Sequence, residues 1–166
     1  MRLKALALAV VAAVSVGCWN PFGPSEYEGS FTYTVDGQPV TATGNGRLAL
    51  RSSGSLSFTG ADCTGGAYFS MFVRPEPTVG TYTVAQGVNA SYTPDARSSG
   101  GNSPYWETAP ITGAQGSGSL TITSISSDRV AGSFTFVLAP RFNSTATGTR
   151  RVEGSFDLEI ADKPVC

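Results

Sequence analysis

The sequence contains no histidine, and that absence removes more chemistry than any other feature of the chain. It excludes Ser–His–Asp and Cys–His nucleophilic pairs in their usual form, His-ligated zinc and the commonest general base. Lysine is nearly missing as well, with only Lys4 and Lys163. There is no Gly-Lys-Ser/Thr phosphate loop and no EF-hand pattern, and a Ser–Lys mechanism would have to draw on Lys163. Charge of either sign is scarce. Charged residues make up 14% of the chain, against roughly 25% in an ordinary soluble domain. The cations form no cluster beyond Arg150-Arg151. A nucleic-acid partner needs a concentrated basic surface and is not expected. A surface-lying membrane helix needs a basic amphipathic stretch, and none is present. Carboxylate pairs could still serve a glycosidase, and the candidates are Asp62, Glu76, Asp95, Glu107, Asp128, Glu153, Asp157 and Glu159. Asp157 and Glu159 lie two apart on a strand pattern, opposite Phe156, Leu158 and Ile160, and read as a solvated outer face. No catalytic residue, cofactor or metal is therefore expected, and a glycan-active hydrolase is the least favoured function.

Gly, Ser and Thr take the place of the missing charges, a bias that suits strands and turns more than helices. The first residues, MRLKALALAVVAAVSVGC, have a different character. Arg2 and Lys4 precede an apolar run from Ala5 to Val14, and small residues follow. That is the order of a secretory signal peptide. The run of about a dozen apolar residues is short of the ~20 a spanning helix needs. Val14-Ser15-Val16-Gly17-Cys18 resembles the lipobox of bacterial lipoproteins, although Ser15 stands where that family usually has Leu or another aliphatic residue. The resemblance implies cleavage before Cys18 and a diacylglyceryl group on its sulfur. The expected organisation is a signal peptide over 1–17, a lipidated cysteine and tether over 18–28, and one β domain over 29–166. Without the leader's two cations, nine cations face 12 anions, a formal charge of −3.

The chain has three cysteines, Cys18, Cys63 and Cys166. An odd count leaves a stray thiol in an exported protein. Acylation of Cys18 leaves an even pair in an oxidising compartment, so a Cys63–Cys166 disulfide is expected. A metal site is the alternative, and two cysteines without histidine make a poor one.

Residues 19–28 carry Pro21, Gly23 and Pro24 and read as a tether. Beyond them strand signals recur. Phe31, Tyr33 and Val35 alternate with polar residues, Asp36-Gly37 marks a tight turn, and Pro39–Thr43 returns as the partner strand. Arg47–Arg51 places Leu48 and Leu50 on one side, and Ser55–Thr59 carries Leu56 and Phe58. Ala67–Val73 is apolar on nearly both faces, as in a strand covered on each side. Gly80–Ala85 is the next strand. Residues 86–115 read as a long loop with a short strand near Ala90–Thr93, and they carry Tyr92, Tyr105 and Trp106. Ser119–Ile125 and Val130–Leu138 form a hairpin through Ser126–Arg129, and Arg151–Ile160 closes the series. The expected fold class is all-β, either an antiparallel β-sandwich or a closed β-barrel of about nine strands with mostly hairpin connections.

Several of these pieces resemble an uncharacterised family of small bacterial lipoproteins. They are Phe31–Gly37, Gly80–Val84, Ala90–Tyr92, Gly118–Ile125, Arg129–Phe136 and Val152–Phe156. The resemblance implies an all-β envelope domain and supplies no activity. The residues themselves suggest a non-catalytic module for binding or structural roles, held to the membrane through Cys18. The domain would face the periplasm or the outside, with the outer membrane as the default. Loops on a rigid scaffold are where binding residues concentrate, so Tyr92, Tyr105 and Trp106 are the candidate contacts to an envelope protein or a glycan. A lipocalin-like carrier of a small apolar molecule is the alternative.

Overall fold

The computed structural model describes residues 28–42, 46–61, 66–96, 103–109 and 115–161. The described chain is all-β. Its eleven strands are β1 (Gly29–Val35), β2 (Gln38–Thr41), β3 (Arg47–Ser52), β4 (Ser55–Ala61), β5 (Tyr68–Val73), β6 (Gly80–Thr83), β7 (Val88–Thr93), β8 (Trp106–Glu107), β9 (Ser117–Ile125), β10 (Arg129–Pro140) and β11 (Arg150–Ala161). They form one sheet in the order β2-β1-β11-β3-β4-β5-β7-β8-β10-β9-β6, and β10 also pairs with β11. All pairings are antiparallel except the short one of β11 with β3, where Ile160 and Ala161 oppose Ala49 and Leu50.

The two 12-residue strands, β10 and β11, hold the sheet together because each is long enough to serve two sets of neighbours. Along one side of β10, Val130–Val137 pair with β9, and Ala139-Pro140 run on to pair with β8. Along one side of β11, Val152–Leu158 pair with β1, and Ile160-Ala161 run on to β3.

Alternation supplies the core. Phe31, Tyr33, Val152, Phe156, Phe134 and Phe136 meet Phe58, Phe69, Met71 and Val88, all nearly inaccessible to water. Phe69 stacks on Phe134 at 4.9 Å, and Phe58 lies 4.7 Å from Phe156. Two glycines make room for this aromatic layer. Gly132 opposes Phe156 and Phe134 opposes Gly154, so each ring lies over the bare backbone of the partner strand. A Cβ on Gly132 or Gly154 would stand 2.8 Å from the terminal ring carbon of that phenylalanine. Phe31 covers Gly60 in the same way.

Turn chemistry sets the hairpin register. Asp36 and Gly37 have φ of 51° and 79°, the left-handed pair that a two-residue hairpin turn requires. The Asp36 carboxylate also accepts from Arg151 N at 2.9 Å and Arg150 Nη1 at 3.1 Å, tying the turn to β11.

Three local expectations are corrected. The short strand expected near Ala90–Thr93 is β7, which starts two residues earlier, and the stretch 86–115 also holds the unexpected two-residue β8. The strand beginning at Gly80 stops at Thr83, because Gln86 Oε1 accepts from Thr83 N at 3.0 Å and turns the chain. Covering of the Ala67–Val73 segment is one-sided: Phe69, Met71 and Val73 are buried, whereas Tyr68, Ser70 and Phe72 are half-buried on the outer face. Leu48 and Leu50 share a face as expected, with Leu48 buried and Leu50 half-buried. Ala49 pairs with Phe58 and takes the inward position.

Burial has a titration consequence. The Tyr33 phenol donates to the Gly60 carbonyl at 3.3 Å, and its pKa is raised well above the ordinary ~10, first by burial and then by Tyr92 nearby. Burial also raises Tyr92, with Arg150 opposing the shift. A raised phenol pKa contributes stability that is complete below the unfolded value near ~10 and is lost as pH rises through the folded value. In a spectrophotometric alkaline titration, Tyr33 and Tyr92 are expected to ionise only together with unfolding. Smooth ionisation of all six tyrosines in a still-folded chain would contradict this burial.

Candidate functional site

The three aromatic residues singled out by sequence go to two different places. Tyr92 on β7 opposes Trp106 on β8, and their rings lie 6.0 Å apart. Both belong to the core, with Trp106 only 4% exposed. The Trp106 indole donates to the Gly148 carbonyl at 3.0 Å, and the Arg150 guanidinium lies over its face at 4.7 Å. Trp106 therefore anchors the 141–149 segment against the sheet, and neither it nor Tyr92 is free to meet a ligand.

Tyr105 is the one that faces outward. It lines a groove of about 240 Å³ on the outer side of β5, β7 and β8, with Ser70, Phe72, Asn89, Ser91 and Glu107 among its walls. The register explains why these residues converge: Ser70 opposes Ser91, Phe72 opposes Asn89, and Ser91 opposes Glu107. The Ser70 and Ser91 hydroxyls hydrogen-bond to each other at 2.9 Å, and each keeps further capacity. Behind the groove, Thr108 plugs the sheet. Its Oγ1 accepts from Ala90 N at 3.0 Å, and its own N donates to the Ala90 carbonyl at 2.9 Å.

The rim is held from the other side. Arg141 N donates to the Tyr105 carbonyl at 2.9 Å, and Ser144 Oγ donates to the same oxygen at 3.2 Å. The Arg141 guanidinium sits over the Tyr105 ring at 5.1 Å and 3.9 Å from the Glu107 carboxylate. Tyr105 is thus fixed in place, and the charges around it cancel. Among the described residues no three His, Cys, Asp or Glu side chains are grouped to hold a metal ion.

A larger, shallow hollow of about 510 Å³ lies over β1, β2 and the middle of β11. Its ring-bearing residues, Phe31 and Tyr33, are core side chains, and two of its hydroxyls, Thr32 and Ser155, bond to each other at 3.2 Å. It offers no outward aromatic surface, so the Tyr105 groove is the better candidate.

No protein-family model, curated protein or solved structure matches the chain. The site therefore stands on its own geometry. Of the carboxylates considered for acid–base work, Glu107 alone is among the groove's described lining residues, and Asp157 pairs with Arg129 at 2.7 Å elsewhere. Cys18, Cys63 and Cys166 all lie outside the described residues, as does the leader. No described helix is long and apolar enough to cross a membrane.

The sequence signal that could have separated Tyr105 from Trp106 is alternation within the two-residue β8, which is too short to show a period. Asn89 and the Ser70–Ser91 pair carried no sequence signal, because their convergence depends on pairing between distant strands.

Proposed function

We propose that the chain is an exported lipoprotein of the bacterial envelope, held to a membrane by a lipid on Cys18, whose β domain is a non-catalytic binding module. Its binding face is the outer side of β5, β7 and β8 around Tyr105. The observation that carries the binding reading is a fixed, outward aromatic ring beside a row of hydroxyl, amide and carboxylate groups on a rigid sheet. The leader and its lipobox-like end carry the anchoring, and with it membership of the uncharacterised lipoprotein group that the strand segments resemble.

The orientation suits a tethered module. β1 enters at Gly29, opposite Leu158, and reaches Val35 opposite Val152, a run of roughly 20 Å at ~3.3 Å per residue. Arg150 and Arg141 stand at the far end of that run, and Tyr105 with them. The groove then lies toward the end of β1 remote from Gly29.

The architecture fits a sandwich better than a barrel. Rings of β1, β10 and β11 meet rings of β4 and β5 face to face, while the ends of β10 and β11 join the two layers at the corners. The same rings occupy the interior, where a lipocalin-like carrier would need a hollow, so the carrier reading has no supporting observation.

The Cys63–Cys166 disulfide belongs to this proposal. Ala61 ends β4 near Gly46, and Ala161 stops opposite Leu50. The two are separated by roughly 16 Å, from ~3.3 Å per residue along β3 and ~4.8 Å between strands. Five residues after Ala161 and two after Ala61 are enough chain to span that, at up to ~3.3 Å each.

A photoreactive residue at position 105, introduced into the chain in its native envelope, tests the binding face. The expected result is a defined cross-linked product from 105 and none from Thr121, which lies on the opposite outer face. Equal yields from both positions would overturn the assignment.

A further inference from the structure

Resting on the reading of this face as the binding face, we infer that the Tyr105 groove binds one ring of a neutral saccharide. Size limits the ligand first. At about 240 Å³ the groove is smaller than the ~300–1,000 Å³ of drug-sized sites, so it holds a single ring and leaves any continuation of a chain in solvent.

Chemistry limits it next. The walls offer two aromatic surfaces, Tyr105 and Phe72, interleaved with the Ser70 and Ser91 hydroxyls, the Asn89 amide and the Glu107 carboxylate. An apolar ligand would strip water from those polar groups without replacing its hydrogen bonds, at a cost. A sugar ring matches both halves, with an apolar C–H face for the aromatic rings and hydroxyls for the polar row. Arg141 is engaged with Tyr105 and Glu107 and is not among the lining residues. The groove therefore offers an anion no free cation, and it offers a cation only a carboxylate that already has a partner.

Topology limits the class of partner as well. Extended peptides usually add to a free sheet edge. β5 is an interior strand between β4 and β7, and β7 is paired with β5 along its length and with β8 at Ser91 and Tyr92. The groove therefore presents mainly side chains, which suits a carbohydrate.

The test is calorimetric titration of the purified full chain with cellotetraose, maltotetraose and chitotriose. Binding of at least one of them is expected. Tyr105→Ala should weaken it about tenfold. Asn89→Ala, an exposed position whose loss leaves the fold intact, should weaken it about threefold to tenfold. Thr121→Ala should leave it unchanged. Binding of none of the three sugars, or binding that neither groove variant weakens, overturns the inference. If the sugars fail while a photoreactive residue at 105 still captures an envelope protein, the saccharide is wrong and the binding face stands. If both fail, the binding face falls too.

Discussion

Gly154→Val is expected to cost more than ~4 kcal/mol, a large part of the ~5–15 kcal/mol that holds an ordinary domain folded. Gly154 sits in the middle of β11, where an added Cβ would stand 2.2 Å from the Thr32 carbonyl oxygen and 2.8 Å from the Phe134 ring. The first obstacle is the backbone of β1 and cannot swing aside. The second is a ring packed between Phe31 and Phe69 at 5.6 and 4.9 Å. Relief would require β1 to part from β11. Gly37→Asn is the matched control. It has nothing within 4 Å of its Cβ, and its left-handed φ is one that Asn tolerates. Chemical denaturation of the two variants beside the parent measures the contrast. Equal, small losses would mean that the interlocked glycines and phenylalanines do not hold the sheet together.

Trp106→Ala is the second large effect, about 3–5 kcal/mol for emptying the ring's site in the core. The substitution also removes the indole donor to the Gly148 carbonyl and the surface on which Arg150 rests. Arg150 then keeps Asp36 as its partner at 3.1 Å, so the damage should centre on the 141–149 segment and spread along β8. Hydrogen exchange should show that segment opening first. Tyr105→Ala, one residue earlier, should lower the melting temperature far less, because its ring is only half-buried. A Trp106→Ala chain with unchanged stability would return Trp106 to the list of ligand contacts.

That adjacent pair also marks how far sequence reasoning reaches. The strict alternation in β1, β9, β10 and β11 made their buried faces readable, because each is long and has one apolar side. Asp36-Gly37 announced its hairpin, and Ser126–Arg129 did the same for β9 and β10. Pairings between strands far apart in the chain leave no such trace. Nothing local in Val152 says that it opposes Val35, and nothing in the pair Trp106-Glu107 says that β7 and β10 will hold it. Tyr, Trp, Ser and Asn are the residues of a binding loop and equally those of a core cap. The pairing of Tyr92 with Trp106 decides between the two. Ala49 shows the converse: a small residue takes the core position opposite the bulky Phe58, and the larger Leu48 and Leu50 lie on the other face of β3, buried and half-buried.

The central claim is a lipid-tethered, exported domain, and the intact mass of the protein purified from its own membrane tests it most directly, with and without reduction and thiol labelling. The account predicts a chain that begins at Cys18 and carries acyl mass, with two thiols that label only after reduction. A soluble, unacylated chain with a freely labelled thiol would contradict the anchor, and the Cys63–Cys166 bridge argued from it would fall as well.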